Sequence, residues 1–95
     1  MAHLQESERA ALTAGYLSYG ESRKQGRMGA QNPFPFRSAQ WRAWEIGDYL
    51  NDRQLPLTEF TRERGGVYRN AQGEGFKVTT RKSGQFYGIG VERVS

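Results

Sequence analysis

The chain has 95 residues, 36% of them hydrophobic and 13% aromatic, with 14 Lys and Arg against 10 Asp and Glu for a formal net charge of +4. That length suits one domain, or two very small modules that must lean on each other. The absence of cysteine excludes a disulfide framework and a thiolate metal site, and His3 alone cannot build a zinc centre.

No apolar run approaches the roughly 18 residues of a membrane span, and no signal-peptide pattern is present, so no membrane association and a cytoplasmic location are expected. A small, ring-rich core with twelve glycines predicts modest stability, which a partner or a second subunit would raise.

Met1 to Gln5 is expected to fray. Ser7-Glu8-Arg9 opens a first helix, Glu8 to about Lys24, with acids at its start and bases at its end, as the helix dipole favours. Leu12, Tyr16 and Tyr19 fall on one stripe; Ala10, Ala14 and Leu17 fall on another. Gly15 and Gly20 each weaken such a helix by about 1 kcal/mol relative to alanine, so Gly15 reads as a close-contact point for a neighbouring helix.

Gln25 to Pro35 is a loop. Pro33 and Pro35 bar a regular helix across themselves, and Ser38 follows as an N-cap. A second helix runs from about Ala39 to about Asp52, with Ala39, Ala43, Ile46 and Leu50 on one stripe and Trp41 and Trp44 on another side. The simplest arrangement is an antiparallel helical hairpin around an aromatic core of Tyr16, Tyr19, Phe34, Phe36 and one tryptophan.

Asn51 to Leu57 breaks the helical period and marks a module boundary. Residues 1–54 form the helical hairpin and residues 55–95 a β extension, packed as one compact domain. Glu59 and Glu63 fit a helical turn and, beside Arg62 and Arg64, read as surface ion pairs. Val67 to Arg69 is a short strand, and Asn70 to Gly75 a turn. Phe76 to Arg81 alternates, with Phe76, Val78 and Thr80 on one face and Lys77, Thr79 and Arg81 on the other. Lys82 to Gln85 makes a hairpin loop, and Phe86 to Val94 returns as a strand. The expected fold class is α+β: a two-helix hairpin packed with a small C-terminal three-stranded antiparallel sheet.

Charge is unevenly placed. Residues 1–54 carry seven basic and six acidic side chains, and residues 55–95 carry seven and four. Between Ser22 and Trp44 lie Arg23, Lys24, Arg27, Arg37 and Arg42 with no acid among them, a run that suits a phosphate-bearing surface or a solvated basic loop.

Residues 8–50 resemble the ribosome modulation factor family, short bacterial proteins that help ribosomes into hibernation. The likeness rests on Glu8-Arg9-Ala10, Gly15-Tyr16 with Gly20, Asn32-Pro33-Phe34, and Arg37-Ser38-Ala39-Gln40-Trp41 followed by Trp44 and Gly47. About forty C-terminal residues have no counterpart in it. The resemblance implies a two-helix unit that docks on RNA of the small ribosomal subunit through shape and basic side chains. Basic relatives occur in phage and plasmid genomes, so it also implies that a mobile-element origin is plausible.

The candidate RNA- or partner-binding residues are Arg23, Lys24, Arg27, Phe34, Arg37, Trp41, Arg42 and Trp44, with Lys77 and Arg81 as a secondary basic strand face. The arginines would hold phosphates; the tryptophans would stack on bases or anchor a protein interface, unless they are core, as at least one should be. One terminal histidine, no cysteine, no phosphate-binding glycine loop and no nucleophile elbow leave no catalytic site, no cofactor and no metal to expect. Two functions remain: a non-enzymatic RNA- or ribosome-binding modulator acting by occlusion, and a phage- or plasmid-borne inhibitor that binds a host protein complex.

Overall fold

The structure, a computed structural model, describes residues 2–24, 32–84 and 86–94, with side chains within them except at 2, 19–24, 83, 86 and 87. A two-residue strand β1 (Ala2–His3) precedes helix α1 (Glu6–Lys24), and helix α2 (Ala39–Asp52) follows. Strands β2 (Thr61–Glu63), β3 (Val67–Arg69), β4 (Gly75–Ser83) and β5 (Phe86–Val94) complete the chain.

The start and stop of α2 follow from local chemistry. Ser38 is extended and its hydroxyl accepts from the Trp41 amide at 3.1 Å, the side-chain cap that an otherwise unpaired helical amide needs. At the other end Gln54 adopts a left-handed φ of 57°, and the Leu55 amide reaches back to the Leu50 carbonyl at 2.7 Å.

The two helices cross on glycines. A Cβ on Gly15 would lie 2.1 Å from the Trp44 carbonyl oxygen, and one on Gly47 would lie 2.0 Å from that of Leu12. Both contacts are with backbone, so the helices approach closely only because neither position has a side chain. Nearby, Asn51 Nδ2 donates to the Tyr16 carbonyl at 2.6 Å.

The strands form one antiparallel sheet in the order β1-β2-β3-β4-β5. One cross-strand row runs Arg62, Tyr68, Phe76, Arg93, and its two central rings are fully buried. Leu4, Ala11, Leu12, Ala43, Ile46, Leu50 and Phe60 close over Tyr68 and Phe76 as one core, to which residues on both sides of Asn51–Leu57 contribute. Tyr16 and Phe34 pack against it. β3 pairs with β4 only over Gly75–Lys77, whereas β5 follows β4 from Gly75 to Ser83. Beyond Lys77 the last two strands therefore continue as a two-stranded arm.

The architecture is α+β, two packed helices on an antiparallel sheet, and four expectations change. The meander has four strands rather than three, because Thr61–Glu63 pairs with Val67–Arg69 instead of forming a helical turn. The first residues do not fray: Ala2–His3 adds to β2, and Leu4 is buried. Burial of Leu4 removes an apolar side chain from water, which local periodicity over five residues could not foretell. Phe36, expected in the aromatic core, is 50% exposed. β4 extends through Ser83, so the hairpin loop at Lys82–Gln85 is shorter than expected, with Gly84 at φ 64°.

Candidate anion-binding cleft

The short β2–β3 hairpin turns at Gly65 and Gly66, whose φ angles of 85° and 78° lie in the left-handed region that glycine enters without steric cost. This turn ends the sheet early on one side of the longer β4. α2 overhangs the step with Arg42, one turn inside its N-terminus. The result is a cleft of about 490 Å³ lined by Arg42, Arg62, Arg64, Lys77, Tyr68 and the two glycines, with Glu63 and Val78.

Four cations thus face one recess whose lining contains one carboxylate, Glu63. Glu63 is already committed: it accepts from Arg69 at 2.7 and 2.8 Å, and that contact holds its carboxyl below the usual range. Beneath the cleft Glu8 is 2% exposed and shares Oε2 between Arg62 Nη1 and the Tyr68 hydroxyl, each at 3.1 Å. Burial, reinforced by the Glu8 charge and hydrogen bond, pushes the Tyr68 hydroxyl up to about 12, so it stays a donor at any physiological pH. Glu8 orients Arg62, whose side chain keeps 42% of its surface open. Such an arrangement can neutralise phosphate oxygens and has no nucleophile or acid–base pair aimed into it.

The residues singled out by sequence are distributed unevenly around this cleft. Arg42 and Lys77 line it together. Arg37 is adjacent: its carbonyl accepts from Arg42 Nη1 at 2.7 Å, and its Nη2 donates to Thr80 Oγ1 at 3.1 Å. Arg81 is exposed four residues beyond Lys77 on the same strand. Phe34 is half-buried against the core, its amide donating to Asn32 Oδ1 at 3.0 Å. Trp41 and Trp44 are 4% and 3% exposed. Both are therefore packing residues, and the expectation that either ring stacks on a base or anchors a partner is corrected: neither presents a face to solvent. Arg23 and Lys24 fall in the last turn of α1 with side chains outside the described residues, and Arg27 lies outside them altogether.

Arg62 and Arg64 are the lining cations that the sequence did not mark. On a helical turn they pair with Glu59 and Glu63; on strand β2 Arg62 points to the face opposite Glu63 and turns inward to Glu8, while Arg64 lies in the turn that follows. An acidic feature on α2 was likewise not marked, although its helical spacing was there to read. Glu45, Asp48 and Asp52 share one side of α2 and line a small hollow of about 130 Å³ against Ile89, Gly90 and Val91. Among the described residues no group of three His, Asp or Glu side chains is placed to hold a metal ion.

Comparison with protein-family models, with curated proteins and with solved structures gives no match to the chain. The resemblance of residues 8–50 therefore stands on its motifs alone. No helix among the described residues is long and apolar enough to cross a membrane.

Proposed function

We propose that the protein is a non-enzymatic, cytoplasmic RNA-binding modulator that acts by occlusion, with RNA of the small ribosomal subunit as its surface. The observation that carries this reading is the convergence of Arg42, Arg62, Arg64 and Lys77 on one cleft beside a glycine turn. Cations gathered in a recess bind a polyanion through counterion release, which needs no reaction machinery. The motifs shared with ribosome modulation factors supply the choice of ribosomal RNA. The burial of both tryptophans removes them from either kind of interface, so the choice of RNA over a host protein complex rests on the clustered cations.

Co-sedimentation with bacterial 30S and 70S particles tests the proposal. Stoichiometric binding is expected to persist near ~150 mM salt, and with four phosphate contacts the log–log salt slope should be about −3. Arg64→Glu, a substitution at an exposed position beside the cleft, should abolish binding while leaving the melting temperature unchanged. A protein that stays in the supernatant at low salt would overturn the reading.

A further inference from the structure

The cationic surface does not stop at the cleft. Past Lys77, β4 has lost its β3 neighbour, so its backbone edge from Val78 onward opens toward the same recess. Arg37 meets that arm at Thr80, and Arg81 stands exposed one residue farther along. Arg42, Arg37 and Thr80 are linked by consecutive hydrogen bonds, so the cleft and the arm form one continuous polar track.

A stacking surface stands beside this track. Arg37 has φ 68°, a left-handed conformation that costs a non-glycine residue energy and is retained only where its surroundings enforce it. In that conformation its guanidinium lies over the Phe36 ring, 5.3 Å from the centroid. The ring is held edge-on by the buried Trp41 at 4.9 Å between centroids, yet remains 50% exposed. A half-exposed ring and an exposed guanidinium plane are the kinds of surface on which an unpaired base stacks.

We infer that the cleft and the Phe36–Arg37 platform together bind single-stranded RNA, with phosphates along Arg42, Arg62, Arg64 and Lys77 and one unpaired base at Phe36–Arg37. This rests on the RNA-binding reading above and specifies which form of RNA it takes. Duplex bases are stacked on one another and cannot reach such a platform. Duplex readers instead spread their contacts over about 16 base pairs, two minor grooves and the phosphates between them. Here the four lining cations converge on a single recess between α2 and the Gly65–Gly66 turn instead of spreading over such a span.

The test is fluorescence anisotropy at low salt, with a labelled mixed-sequence RNA of about 12 nucleotides, used alone and annealed to its complement. The single strand should bind about tenfold tighter than the duplex. Phe36→Leu keeps an apolar side chain against Trp41 but removes the ring; it should weaken single-strand binding about tenfold and leave duplex binding unchanged. If that variant melts early, Arg37→Gln reads the other half of the platform with the same expected selectivity. Equal or tighter duplex binding, or folded variants that bind the strand normally, would overturn the inference while leaving RNA binding intact. If neither RNA binds, both readings are overturned.

Discussion

Asp48 sits between Glu45 and Asp52 on one side of α2, and burial together with those two carboxylates pushes its carboxyl up to about 6. Its Oδ1 is buried with no hydrogen-bond partner among the described residues, while Glu45, also raised by burial, is eased by a bond from Asn32 Nδ2 at 3.3 Å. A carboxyl raised in the folded state favours the protonated form there. Its penalty therefore builds up as pH rises from about 4, where the unfolded chain ionises, to about 6, and is complete above that. Asp48→Asn should accordingly stabilise the protein by about 1 kcal/mol at pH 7.5, after discounting for a half-exposed site, and change little at pH 4. Thermal melts at both values check this; an equal shift at both would show that charge is not the cause. Glu8 teaches the complementary lesson. In sequence it is an acid at a helix start, whereas in the fold it is the buried acceptor for residues 54 and 60 positions away.

The helix pair was the most legible element. Ser38, the Ala39–Asp52 stripe and Gly15 as a close-contact point all follow from capping, period and the cost of glycine in a helix, which are local properties. Gly47 completes the contact from the opposite side. Gly15→Ala or Gly47→Ala places a methyl group about 2 Å from a backbone carbonyl, which no rotamer change can relieve. Each substitution should cost about 3 kcal/mol or more, the upper end for overpacking, read as a lower denaturation midpoint at unchanged m-value. A loss below about 1 kcal/mol would mean that the helices separate easily. The strands were harder to read. β2 has three residues, and its sequence Thr-Arg-Glu has neither an apolar alternation nor a length that a helical turn lacks. Its strand state is imposed by pairing with β1 and β3, so the cleft that it borders was not legible.

At the scale of the molecule, Ile46 and Leu50 of α2 have no exposed surface, and their cover includes Phe60, Tyr68 and Phe76 from beyond the Asn51–Leu57 break. A fragment of residues 1–54 would expose that stripe, and burial of each such side chain is worth about 1.5–3 kcal/mol. The fragment should lack a cooperative melt by circular dichroism, whereas a sharp transition would show that the hairpin folds alone. The molecule also separates its charge. Arg42 faces the basic cleft, while Glu45, Asp48 and Asp52 occupy another side of the same helix against β5. The amino-acid sequence by itself determined the α+β class, the Ser38 cap and the stripe of α2, the β4–β5 hairpin and the excess of cations, because each is set by composition or by residues within a few positions of one another. Only the tertiary structure decided that both tryptophans are buried and that Phe36 is exposed. It also decided that Arg42 and Lys77, 35 positions apart, meet Arg62 and Arg64 at one opening. Those outcomes depend on which surfaces the helices and sheet bury against each other, a long-range property that no local pattern encodes.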